Sequence, residues 1–351
     1  MAFFGVTIET ISEVTAHGNA DRLEVARCKD LGFVFVVPKG TQRPGDRVLY
    51  IPIDAIIPAE LAEKWGVRRF LAGKNHNRVK TVRLRGEISQ GLVMPLKWLA
   101  EYGLDEAAPP EAITQGFGIT QYEPPVLVIQ GGKLRPLPAG LSEYDIEGAE
   151  RHLDVLESLL DQPVVVMEKI EGSNLSVTVD EAGALFVNQR HHTIEPDGPD
   201  THTWWVGARQ SGLIAFAQWL HQHTGKHVTV YGELIGPGIQ GNLYRLKTHT
   251  VLSYDAFVDR AWVPWERLRG FFAEYPGEPK PALVPVLGQG MSLREWLEGR
   301  NLRDASNGPS TLAETPREGI VIKPLAEGTH PIIGRLIIKQ RSPEYLSLTD
   351  N

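Results

Sequence analysis

A lysine amine becomes a nucleophile when burial and neighbouring cations favour loss of its proton. Lys169 is the residue of this chain best placed for that chemistry. It opens the string K-I-E-G-S-N, residues 169–174, between an apolar strand expected over Val164–Met167 and a second over Leu175–Val179. Gly172 is expected to let the backbone turn between them. Taken alone, the string favours a surface lysine in a hairpin, because so short a pattern recurs by chance. Four further strings follow it, each on or beside an apolar run: Y-G-E-L-I-G at 231–236, a strand over Leu252–Val258 holding Asp255 and Phe257, R-E-G-I-V-I-K at 317–323, and L-I-I-K-Q-R at 336–341. His191, His192, His202 and His221 have no carboxylate at ligand spacing, so no zinc is expected. Trp204 and Trp205 open an apolar-periodic helix and are read as core.

The elements that must position these strings are legible from pattern. Residues 5–58 read as short strands, Val6–Val14, Glu24–Cys28, Phe33–Pro38 and Arg47–Ile51, separated by Gly, Pro, Asn and Asp turns. A further strand is expected over Arg78–Arg85. Close spacing of short strands implies a small barrel. Residues 104–143 are broken repeatedly by Pro109-Pro110, Pro124-Pro125, Gly131-Gly132, Pro136 and Pro138, and read as a surface linker. A helix over Glu150–Leu160 follows. Beyond it, strands over Val228–Leu234, Val251–Val258, Gly319–Ile322 and Leu336–Lys339 alternate with helices over Thr203–Leu220 and Leu293–Glu298. The division is therefore 1–103, a barrel domain; 104–143, a linker; and 144–351, the domain carrying all five strings.

Composition sets the frame. The 351 residues hold 42% hydrophobic and 23% charged side chains, which are globular values, and net charge is −7. An acidic balance does not exclude a polynucleotide partner, because a local basic groove suffices. The single cysteine, Cys28, implies a reducing, cytoplasmic setting. No apolar run approaches membrane length, and neither a membrane nor an obligate protein partner is expected.

The five strings, in this order, resemble motifs I, III, IIIa, IV and V of the covalent nucleotidyltransferases, which include DNA ligases, RNA ligases and capping enzymes. Glu171 and Asn174 give K-x-x-G-x-N, similar to RNA ligase 2-like enzymes, and G-P-G-I-Q-G-N at 236–242 looks like the same branch. N-Q-R at 188–190 resembles motif Ia, although Gln189 departs from it. The resemblance implies an α+β chain with a DNA-ligase-like domain of antiparallel sheets flanked by helices, using ATP and Mg²⁺ or Mn²⁺. It implies that Lys169 is adenylylated. Lys339 and Arg341, on one strand face, would neutralise phosphate charge. Glu318 would bind the metal. Glu233 would accept from ribose hydroxyls, Asn174 and Arg190 would touch sugar or phosphate, Phe257 would stack on adenine or else is a plain core aromatic, and Glu168 would line the adenine pocket or else face solvent. Lys323 is a third candidate cation, or a solvated strand-end lysine.

In the N-terminal part, H-G-N-A-D-R-L-E-V-A-R at 17–27, P-K-G-x-x-x-x-G-D at 38–46 and R-V-K-T-V-R-L-R-G-E-I-S-Q-G-L at 78–92 resemble the OB-fold module of Deinococcus-type RNA ligases. Arg78, Lys80, Arg83 and Arg85 are the expected nucleic-acid contacts; the alternative is a charged edge strand. The implied function is an ATP-dependent RNA ligase that repairs nicks in a templated RNA or RNA/DNA duplex. A GTP-dependent capping-type enzyme and a non-catalytic RNA-binding protein are the competing readings.

Overall fold

The computed structural model describes residues 3–122, 132–141, 143–198 and 201–349. The chain divides into two compact units. One comprises Ala2–Val126 with Glu147–Leu156 and Pro343–Asn351; the other comprises Leu127–Ile146 with Glu157–Ser342.

The first unit is built on a five-stranded antiparallel sheet in the order Val34–Pro38, Leu23–Cys28, Thr7–Ala16, Arg47–Ile51, Leu92–Pro95. The long strand Thr7–Ala16 serves two neighbours by breaking register between Ile11 and Glu13, a bulge that bends it. Alternation along Arg47–Ile51 then feeds two apolar clusters. Leu49 and Ile51 join Val6, Leu61 and Ile113, whereas Val48 and Tyr50 join Ile11, Ala26 and Phe35.

Two expectations change here. Residues 104–122 are not a linker: they form the helix Pro110–Gly116 and the short strand Thr120–Gln121, and Ile113, Phe117 and Ile119 are buried in the first cluster. Pro110 takes the first helical turn, where a missing N–H costs nothing, so the proline pair starts a helix rather than interrupting one. Gly132–Pro136 pairs as a strand with His192–Pro196 in the other unit's sheet. Residues 123–131, which include Pro124-Pro125, lie outside the described residues. The basic strand is also shorter than expected, Thr81–Leu84, and turns at Arg85-Gly86 into Glu87–Gln90. The C-terminal helix Pro343–Thr349 belongs to this unit, where Arg83 Nη2 donates to Ser347 Oγ at 3.1 Å.

The second unit holds the five strings. Its larger sheet runs Gly132–Pro136, His192–Pro196, Leu185–Asn188, Ser173–Val179, Val228–Ile235, Thr250–Val258, Ala261–Trp262, with Ala282–Leu283 parallel beside Thr250–Val258. Leu175, Val177, Val179, Val228, Val230 and Leu234 share a core with Phe216, Ala217 and Leu220 of the helix Leu213–Thr224. The expected single helix 203–220 is two, Thr203–Gln210 and Leu213–Thr224. Gly212 between them has φ 78°, and a Cβ there would lie 2.0 Å from the Pro279 carbonyl oxygen. Trp204 is buried in this core and the partly buried Trp205 packs against it, their indole N–H groups donating to the carbonyls of Asn174 and Ile194 at 3.0 and 2.9 Å. In the smaller sheet Ile338–Arg341, Gly319–Pro324, Pro163–Lys169 and Val286–Ser292 are successive antiparallel neighbours.

Candidate active site

Register brings the chemistry together. Lys169, the last residue of its strand, pairs with Gly319, which pairs with Arg341; Met167 pairs with Val321, which pairs with Lys339. Directly paired residues project to the same face, and so do residues two apart. Lys169, Arg341 and Lys339 therefore share one face of three adjacent strands. Glu318, one residue before Gly319 and 8% exposed, closes the group: its carboxylate is 2.7 Å from Lys169 Nζ and 3.8 Å from Arg341 Nε. The close pairing explains Gly319, because a Cβ there would lie 2.2 Å from the Gln340 carbonyl oxygen.

The larger sheet supplies the rest. Asn174 pairs with Glu233, which pairs with Leu252. Gly172 is needed for close approach to that sheet: a Cβ would lie 2.6 Å from the Leu234 carbonyl oxygen and 2.7 Å from Glu233 Cγ. The loop after Glu233 grips the K-x-x-G turn, with Glu171 N–H donating to Tyr244 Oη at 2.8 Å and Gln240 Nε2 donating to the Gly172 carbonyl at 3.3 Å. Arg190 is held by Asp145 at 2.9 Å.

The electrostatics are those of an anion site. Lys339 is pushed down to about 8, first by burial and then by the positive charges of Lys169, Arg341 and Arg190, with Asp145 opposing. Glu233 is pushed up to about 8 by burial and by the neighbouring Glu318, against Lys169 and Arg190. Its folded value lies above the unfolded one, so the stability it contributes is lost as pH rises from about 4.5 through about 8. Glu233→Gln is therefore expected to melt above wild type at pH 9 and to lose that advantage at pH 4.5. Thermal melts across this range measure it, and a pH-independent difference would contradict the assignment.

Three expected site residues are placed otherwise. Glu168, on the opposite face to Lys169, is buried and spent: it accepts from Ser310 Oγ at 2.5 Å and from Thr311 N and Oγ1 at 2.9 and 2.6 Å, tying a loop to its strand. Lys323 is fully buried, neither solvated nor free for phosphate. Its Nζ lies 2.5 Å from Asp255 and 3.2 Å from Glu327. Arg335 completes that network, contacting Asp255 at 2.8 Å and Glu327 at 2.7 Å, and Tyr144 Oη donates to Asp255. Phe257 stands opposite Thr229, four residues along the strand from Glu233 and thus roughly 13 Å away, packed on Trp262.

The aromatic at the site is Tyr254, whose Oη accepts from Asn174 Nδ2 at 2.6 Å. Tyr231 pairs with Asp255 but Gly232 pairs with Ser253, so Tyr254 is the extra residue of a β-bulge, a device that re-aims one side chain. A regular alternation cannot reveal it.

The four cations expected to contact nucleic acid differ in setting. Arg78 lies before the strand, bound to Asp54 at 2.6 Å and stacked over Tyr122, and Lys80 is partly buried just ahead of Thr81. Arg83 donates to the Gly86 carbonyl and Ser347, and Arg85 occupies the turn with φ 49°.

Comparison with known proteins agrees with this arrangement. A family model described as RNA ligase matches residues 162–339, and an OB-fold domain model matches residues 5–96. Comparison with curated protein sequences gives no match. Among solved structures, Naegleria gruberi RNA ligase with pyrophosphate is similar over 99% of both chains at 25% identity and a TM-score of 0.82. Two variants of that enzyme with ATP and manganese are also similar. One has 26% identity over 99% of this chain and 100% of its own, the other 25% over 98% of both, with TM-scores of 0.78 and 0.77. With its matched segment spanning half the sequence, from before the strand of Lys169 as far as Lys339, the chain belongs to the RNA ligase family.

Proposed function

We propose that this RNA ligase is ATP-dependent and works through a covalent AMP on Lys169, sealing nicks that carry a 3′-hydroxyl and a 5′-phosphate in a templated RNA or RNA/DNA duplex. The observation that carries the reading is the register-fixed convergence of Lys169, Lys339 and Arg341 on one sheet face around Glu318.

In the first step Lys169 Nζ, having released its proton to solvent, leaves its Glu318 pair and attacks the α-phosphorus of ATP. A P–N bond forms and pyrophosphate leaves. In the second, an oxygen of the RNA 5′-phosphate attacks the same phosphorus and the P–N bond breaks. In the third, the 3′-hydroxyl attacks the activated 5′-phosphate and AMP leaves. Each step is an in-line displacement, so catalysis is positioning and charge neutralisation. Lys339 and Arg341 neutralise the equatorial oxygens. Glu233 reaches the ribose, Tyr254 offers its ring to the base, and Arg190 serves the acceptor end.

The residues fit a divalent cation. Among the described residues no cluster of three or more His, Cys, Asp or Glu could cage one. Mg²⁺ and Mn²⁺ in phosphoryl transfer instead take one or two carboxylates with phosphate oxygens and water, as Glu318 with Glu233 nearby would provide. Bound there, the ion supplies charge neutralisation and polarisation of the phosphate. A cytoplasmic location belongs to the same reading and rests on the buried free thiol of Cys28.

The test is incubation with α-labelled ATP or GTP and Mg²⁺ or Mn²⁺, followed by a denaturing gel and by sealing of nicked duplexes. Label from ATP is expected; its absence with both metals defeats the reading. Glu318→Gln, which keeps the side-chain shape, is expected to retain the wild-type melting profile and to lose labelling by ~10²-fold or more. Normal labelling would make Glu318 a packing residue.

A further inference from the structure

Between Glu63 and Glu87, twenty-three positions hold eight Lys or Arg and no Asp or Glu, in a chain of net charge −7. The structure sorts these cations. Lys64, Arg68 and Arg78 are paired with Glu101, Glu63 and Asp54. Arg69 and Lys74 are exposed, and among the described residues no carboxylate pairs with either. Between them Phe70 ends a 3₁₀ turn, Arg68–Phe70, with 56% of its surface exposed, and the Arg69 guanidinium lies 4.7 Å from the ring centre.

The segment is rigidly mounted. Trp65, Val67, Leu71 and Val79 are buried beneath it. Ala72 and Arg78 exchange backbone hydrogen bonds of 2.8 and 3.0 Å, closing the tip that carries Lys74. An exposed phenylalanine held up by an arginine is costly in water. It is also the arrangement that binds an unstacked base between phosphate-seeking cations.

We propose that Phe70, Arg69 and Lys74 form a contact site for single-stranded RNA, with Phe70 stacking on a base and the two cations engaging the flanking phosphates. The proposal rests on the ligase reading for its choice of RNA as the polyanion. It moves the nucleic-acid surface of the first unit away from Arg78, which is spent on Asp54, to the loop just before it.

The experiment uses the full chain and a fluorescein-labelled oligoribonucleotide of about 12 nucleotides, a length within the range one such fold covers. Binding is read by anisotropy at several salt concentrations. Phe70→Ala is expected to weaken binding roughly tenfold, the scale of one lost base stack. Arg69→Ala with Lys74→Ala is expected to lower the slope of log affinity against log salt by about 1.4. All variants should keep the wild-type melting profile and the ATP labelling of Lys169. Unchanged affinity and slope in variants that still label would overturn the site while leaving the ligase reading intact. A wild-type chain that does not label would overturn the ligase reading, and the binding arm would still decide the site.

Discussion

Replacing Lys169 by alanine is expected to abolish covalent labelling by ATP, a loss of at least about 10⁴-fold, because no other group can take over the bond to the α-phosphorus. The fold should survive. Lys169 ends its strand at the edge of the core, and Glu318 keeps Arg341 at 3.8 Å when its 2.7 Å partner is removed. The variant also separates a nucleophile from a merely structural lysine. The third displacement forms no bond to Lys169, so a strand supplied with a pre-adenylylated 5′ end should still be joined. A denaturing gel after incubation with labelled ATP measures the first step, and sealing of the pre-adenylylated strand measures the last. Label retained on the alanine variant would refute the assignment of Lys169.

Asp255→Ala is expected to destabilise the second unit by about 3–5 kcal/mol, because it strips a counter-charge from Lys323, which has no access to water, and from Arg335, which has little. Burial pushes the Asp255 carboxyl up, but Lys323 and Arg335 overcome that and hold it at about 2. Its contribution is thus present above the usual carboxylate value and lost only as pH falls toward 2. Lys323 is fully buried, so without Asp255 it depends on Glu327 alone. Removing both charges, as Asp255→Leu with Lys323→Met, should recover much of the loss, since well-packed apolar groups replace a buried pair with little penalty. Denaturant midpoints of the single and double variants test this. An Asp255→Ala variant that unfolds at the wild-type midpoint would show that the network carries no stability.

How much of this was legible before the structure depended on how local each signal is. The strand Arg47–Ile51 was read to the residue, and the strands carrying Lys169 and Glu233 and the one that follows Glu318 within two, because β-branched runs bounded by Gly and Pro are local patterns. The prolines of 104–143 misled for an equally local reason: a proline that ends one element can start the next, and only packing of Ile113 and Phe117 distinguishes the two. Phe257 was singled out by the resemblance alone, whereas Tyr254 reaches Asn174 from a β-bulge that leaves no mark in the local pattern. The string Arg78–Arg85 contains no carboxylate, yet Asp54, twenty-four residues away, neutralises Arg78.

The sequence by itself determined which residue types were available for phosphoryl transfer and in what order, and that the strand bearing each would be apolar and short. It also determined that Lys339 and Arg341 share a strand face, since a two-residue separation fixes that without reference to any partner. Tertiary structure decided which cations remain available for ligand. Lys339 stands beside Lys169 and Arg341 and is left with a depressed pKa, whereas Lys323, on the same face of the neighbouring strand, meets Asp255 and Glu327 and is consumed. The reason is physical: a charge is functional or structural according to whether a counter-charge reaches it, and here Asp255 comes from a strand of the other sheet, sixty-eight residues away along the chain.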